Sequence, residues 1–165
     1  MVRLERLRAG HAPALLAFEQ ANREFFARSV PDRGDAYFAE FAARHSALLA
    51  EQDAGVCRFH LVLDDRGDLL GRVNLVDISE GTAELGYRIG AHATGRGVAT
   101  AAVAQLCRLA AASYRLTALT AVTTLDNPAS RAVLTKNGFT RTGETTIDDR
   151  PGIRYRRPLA PAAPQ

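Results

Sequence analysis

The chain of 165 residues has no tryptophan, one methionine and only two cysteines. Cys57 and Cys107 cannot build a disulfide framework, and they read as reduced, buried thiols of a cytoplasmic protein. No stretch approaches the ~18 consecutive apolar residues that a membrane span requires. The opening Met1-Val2-Arg3-Leu4-Glu5 alternates, where a secretory leader would place a basic tip before an apolar block. A membrane is therefore not an expected partner, and a cytoplasmic location is. Lysine is nearly missing too: Lys136 is the single lysine among 21 basic residues. The net charge is only +3, and the arginines are spread along the chain, so there is no basic stripe of the kind nucleic acid needs. A small ligand bearing phosphates remains compatible with that charge. Metal-ligand spacing is absent as well. His11, His45, His60 and His92 lie far apart, and Cys57 and His60 fall on opposite faces of one strand, so no metal is expected.

What is present is ordinary globular composition, 47% hydrophobic and 24% charged. The length is close to the ~150 residues of one domain. That domain is assigned to residues 1–157, and a Pro/Ala-rich tail over 158–165 is expected to be flexible. Alternation predicts a strand over Val2–Leu7. Apolar spacing of three and four predicts helices over Ala9–Arg28 and Tyr37–Glu51. Three strands follow, Cys57–Leu63, Leu69–Ile78 and Thr82–Ile89; their connections are too short for a crossover, so they should pair antiparallel. A helix from Val98 to Tyr114, a β-branched strand Thr117–Thr123, a helix from Asn127 to Asn137 and a closing hairpin (Phe139–Thr146, Ile153–Arg157) complete the order.

Three segments carry chemistry. Thr94-Gly95-Arg96-Gly97-Val98-Ala99-Thr100 lies between a strand and a helix. Glycines let backbone approach a ligand, and the first amides of a helix are unpaired at its positive end, which together suit a pyrophosphate. A dinucleotide fingerprint would need glycine where Thr100 stands, and no Gly-Lys-[Ser/Thr] of a P-loop is present. Asn127-Pro128-Ala129-Ser130 opens the second segment, which closes on Gly138-Phe139. In Ala83-Glu84-Leu85-Gly86-Tyr87-Arg88-Ile89, Glu84 stands on the face opposite Ala83, Leu85, Tyr87 and Ile89, beside a glycine that leaves room for a substrate. Each segment also has a plain structural reading: a tight turn into a helix, an N-cap with a glycine stop, and a solvated strand residue.

In this order and spacing the three resemble the GNAT N-acetyltransferases, in the branch of the ribosomal-protein N-terminal acetyltransferases RimJ and RimL. The family's coenzyme signature, Q/R-x-x-G-x-G/A, is matched by Gly97 and Ala99, while Thr94 replaces the leading residue. The later family motif matches Asn127, Gly138 and Phe139. Many members place a tyrosine general acid where this chain has Leu134; the branch instead has the serine matched by Ser130. Glu84, Gly86 and Tyr87 match the branch's Glu-x-Gly-Tyr, and the likeness covers roughly residues 2–157.

The resemblance implies an α/β (α+β) GNAT fold: one mixed, mostly antiparallel sheet of six to seven strands flanked by four helices, with strands 4 and 5 splayed. It implies acetyl-CoA as cosubstrate, with no metal, and transfer of acetyl to a primary amine in a ternary complex. The acceptor would be a protein N-terminus or a small amine, and the protein a monomer or homodimer. Glu84 is expected as the base and Ser130 as the donor to the departing thiolate. Tyr87, Arg88, Ile89, Gly95, Arg96, Gly97, Val98, Ala99, Thr100 and Asn127 are expected to hold the coenzyme. An α-amine with a pKa of ~7.7–8.0 needs only a modest base, whereas a lysine would cost about three units more, or ~4 kcal/mol. Acceptor choice should come from the two N-terminal helices and the closing hairpin. A silent coenzyme-binding sensor of the same fold is the competing reading.

Overall fold

The computed structural model describes residues 1–160; the last five residues of the tail lie outside the described residues. Seven strands form one sheet in the order β1-β2-β3-β4-β5-β7-β6. They are β1 (Arg3–Arg6), β2 (Arg58–Leu63), β3 (Leu69–Ser79), β4 (Thr82–Ile89), β5 (Ala118–Thr124), β6 (Thr140–Ile147) and β7 (Arg150–Pro158). β1 to β4 pair antiparallel, β4 and β5 are parallel, and β7 lies antiparallel between β5 and β6. The fold class is as expected, and the seven strands reach the upper end of the expected range.

The two N-terminal helices are each broken in two. The first becomes a 3-10 turn (Ala9–His11), α1 (Ala12–Ala21) and α2 (Arg23–Ala27); the second becomes α3 (Asp35–Ala39) and α4 (Phe41–Asp53). The break at Asn22 has a tertiary cause. Its side-chain amide donates to the Phe18 carbonyl and its Oδ1 accepts from the Ala91 N–H, so Asn22 leaves helical geometry to tie α1 to the loop after β4. Glu40 breaks the second helix at φ −103°, ψ 17°. α5 (Val98–Ala112) and α6 (Pro128–Lys136) follow the expected pattern and bring the α-helices among the described residues to six. β7 runs through Pro158, one residue past the expected domain boundary, and the Leu159 N–H donates to the Thr117 carbonyl.

Strand periodicity sorts the core into two layers. Phe59, Leu61 and Leu63 of β2 pack with Leu15, Tyr37 and Phe41 from α1, α3 and α4. Val62, Val73, Leu75, Ala83 and Leu85 face the other way, onto Ala102, Val103, Leu106 and Cys107 of α5. The two thiols are buried and unpaired. Among the described residues no helix is long and apolar enough to cross a membrane.

Candidate active site

β4 and β5 pair only at Thr82↔Ala118, Ala83↔Leu119 and Glu84↔Thr120. Beyond Glu84 the strands continue to Ile89 and Thr124 without pairing to each other, which opens a slot. The Gly90 N–H donates to the Leu70 carbonyl at 2.8 Å. In such a ladder the backbone of residues 84, 86 and 88 turns toward β3, and that of 85, 87 and 89 toward β5. The N–H groups of Tyr87 and Ile89 therefore face the slot with no strand partner.

The loop after β4 leads to the N-terminus of α5. Gly95 and Gly97 both have φ +73°, and nothing lies within 4 Å of where a Cβ would stand on either. The first intrahelical bond is Ala101 N–H to the Gly97 carbonyl, so the amides of Val98, Ala99 and Thr100 have no partner inside the helix. The first turn of α5 holds no acid, and Arg96 beside it is exposed. Bare backbone, free amides and positive potential in one place fit a diphosphate. Thr94 does not reach toward that space: its hydroxyl donates back to the Ala91 carbonyl at 2.9 Å.

Glu84 is half-buried on the face of β4 turned away from α5, next to exposed Gly86. Burial pushes its carboxyl above the usual value, nearby Asp77 adds to the rise, and Arg154 opposes it. On the opposite face Tyr87 reaches toward α6, where its hydroxyl lies 2.8 Å from Ser130 Oγ. Burial raises the Tyr87 phenol, and the Ser130 hydrogen bond partly offsets this. Asn127 caps α6: its Oδ1 accepts from the Ser130 N–H at 3.2 Å. Leu134 is 1% exposed and sits in the core.

Most of the expected site residues fall into two groups, with Glu84 apart from both on the other face of β4. Tyr87 and Ile89 lie on the slot edge of β4, with Ser130 and its cap Asn127 reached through the Tyr87 hydroxyl, and Gly95, Arg96, Gly97, Val98, Ala99 and Thr100 form the turn and first turn of α5. Arg88 joins neither. Its backbone pairs with Arg72 in the β3 ladder, and its guanidinium donates to Glu19 at 3.1 Å while lying 4.6 Å over the Phe26 ring. The alternation that sends Tyr87 toward α6 sends Arg88 to the other face.

Sequence reasoning missed the residue that Arg88 meets. Glu19 is 1% exposed and is contacted by Arg33, Arg72 and Arg88 at 3.1–3.4 Å. The signal was there: Leu15, Phe18, Glu19 and Asn22 follow the three-four spacing of a buried stripe, and a carboxylate inside such a stripe demands cations. A cavity of about 260 Å³ lies near this face, lined by Ala27 and residues 29–31, Thr124 at the end of β5, and Ile147, Asp148 and Arg150 of the closing hairpin. The N-terminal helical region and the hairpin, expected to choose the acceptor, both contribute to its walls.

These features define an acetyl-transfer class of fold, and the acetyltransferase (GNAT) domain family matches residues 2–140. The chain belongs to that family. Its structure is similar to ribosomal-protein-S5-alanine acetyltransferase from Vibrio fischeri, with TM-score 0.89 and 19% identity over 99% of this chain and 96% of that one. It is also similar to Mycobacterium smegmatis RimJ in complex with CoA-disulfide (TM-score 0.86, 23% identity, 95% and 81% covered). A third similar structure is spermidine N-acetyltransferase from Vibrio cholerae in complex with CoA and spermine (TM-score 0.79, 18% identity, 96% and 95% covered). No curated protein sequence matches the chain.

Proposed function

We propose that the protein is an acetyl-CoA-dependent N-acetyltransferase that acetylates a primary amine by direct attack in a ternary complex. The observation that carries this reading is the slot between β4 and β5, which holds unpaired amides along its edge and opens toward the amides at the start of α5. Similar solved structures hold CoA, and some are named for protein or spermidine substrates. The coenzyme supplies the acetyl group as an activated thioester.

The chain's own groups do the rest. The amides of residues 98–100 grip the diphosphate, Gly95 and Gly97 let it approach, and Arg96 adds charge. Tyr87 and Ile89 aim their N–H groups at the carbonyl oxygen as it gains negative charge. Glu84, raised by burial, accepts a proton from the incoming amine directly or through a water. Ser130 donates to the departing sulfur, and Tyr87 replenishes Ser130 through their 2.8 Å contact. Asn127 holds Ser130 in place by capping its helix.

Acetyl-CoA, a panel of N-terminal peptides and small amines, and a thiol-release readout test the reading. Steady release that depends on one of the amines is expected. Coenzyme binding with no amine-dependent release would make the protein a silent binding module of this fold.

A further inference from the structure

The face of β4 that carries Glu84 is electrically lopsided. At one end Glu84 lies near Asp77, with Arg154 beside them. Four residues further along, at ~3.3 Å per residue, stands Arg88. Gly86 lies between them and leaves the strand face open. Around Arg88 the balance is positive: Arg33, Arg72 and Arg88 share one carboxylate, Glu19. The adjoining Arg23 is paired with both Asp32 and Asp35, so its group carries one acid in excess, and the neighbourhood as a whole keeps a single positive charge. Each guanidinium carries five N–H donors, and Glu19 accepts one hydrogen bond from each of the three. Arg33 and Arg88 also border a small cavity whose wall includes Arg23, Asp32, Phe26 and Phe38.

Glu19 is nine-tenths buried and beyond, so the cluster is fixed from below while Arg33 and Arg88 stay partly open. A planar guanidinium with spare donors is the group suited to a carboxylate or phosphate. A polyamine would meet repulsion here.

Resting on the acetyltransferase reading, we propose that the acceptor is an amine that also carries an anionic group, a carboxylate or a phosphate. Its nitrogen lies at Glu84, and its anion is held by Arg88 and Arg33 over the buried Glu19. The acidic end receives the ammonium before its proton is removed, and the basic end sets how far the amine can travel along the strand.

The test compares matched acceptors by thiol release at low ionic strength. Ser-Glu-Gly-Gly-amide is set against Ser-Gln-Gly-Gly-amide, O-phosphoethanolamine against ethanolamine, and spermidine is run beside them. The acidic member of at least one pair should exceed its neutral partner tenfold or more in kcat/KM, chiefly through KM; the winning pair tells a carboxylate from a phosphate. Arg33→Gln should pull that ratio toward one, and Arg33→Lys should restore most of it, which a purely structural role would not do. Equal use of all acceptors, or preference for ethanolamine or spermidine, overturns the anion-recognition proposal and leaves acetyl transfer standing. Absence of release with every acceptor overturns both.

Discussion

Glu84 can serve as a base because of where the chain puts it. A solvated glutamate would be a weak proton acceptor for an amine; half-burial beside Asp77 raises its carboxyl, and only Arg154 pulls the other way. Since the ionised form is the working one, activity should fall as pH drops through the raised value, an acid limb displaced upward from that of an ordinary carboxylate. Glu84→Gln removes the acceptor and keeps the shape. It should lower kcat by about 10²–10⁴-fold, abolish that limb and leave acetyl-CoA affinity unchanged by calorimetry. An unaltered kcat at neutral pH would remove Glu84 from the mechanism. Proton delivery belongs to the same scale. Leu134 occupies the position of the usual tyrosine acid but is packed in the core, which turns attention to the hydroxyls of Ser130 and Tyr87, 2.8 Å apart beside the slot. Tyr87→Phe keeps the ring and loses the donor. It should cost at least about tenfold in kcat with little change in coenzyme affinity; full activity would route the proton elsewhere.

At the scale of elements, the start of α5 is the part the sequence announced most clearly. Its two permissive glycines and unpaired first amides were legible before the fold was known, because each is a local property; the structure adds their φ of +73° and a first turn without acids. Gly97→Ala places a methyl where nothing stands within 4 Å and asks alanine to hold φ +73°. The strain costs ~1–2 kcal/mol of stability. Acetyl-CoA affinity should fall at least about tenfold, roughly 1.4 kcal/mol, while a thermal melt still shows a cooperative fold. Retained affinity would move the diphosphate away from this turn. The succession of strands along the chain, the antiparallel trio and the N-cap of α6 were likewise readable, since turn chemistry, alternation and Asn-Pro signals are written in neighbouring residues. The breaks in the N-terminal helices were not. Asn22 bends the chain because Ala91, far away in sequence, needs an acceptor. Arg88 was assigned to the coenzyme for a related reason. Its neighbours are slot residues, but strand alternation and a buried Glu19 claim its side chain for the other face.

Across the whole molecule, one buried histidine links the two halves of the chain. His60 of β2 is 2% exposed, and its Nε2 lies 2.6 Å from the Tyr114 hydroxyl just beyond α5. Its Nδ1 is buried without a partner. Burial, with Arg6 and Arg58 nearby, holds its pKa down at about 4, although the neighbouring Val73 backbone works against this. Arg58 also lies 4.7 Å over the Tyr114 ring, so no acid stands ready to welcome a proton. In the unfolded chain the imidazole titrates near ~6.5. Between those values the unfolded state binds the extra proton and the folded state does not. Stability should therefore fall as pH drops from about 6.5 to about 4, by ~3 kcal/mol from this group, with no further loss from it below that. Glu5, Asp32, Asp64 and Asp126, held below the usual carboxylate range, lose stabilisation in the same direction at lower pH. A comparison with His60→Gln separates the two sources, because the variant keeps every carboxylate. Urea midpoints at pH 7, 5.5 and 4.5 should converge, with the native protein losing stability faster than the variant through that window. Parallel loss in both proteins would assign the acid sensitivity to the surface carboxylates and leave the His60–Tyr114 contact as packing alone.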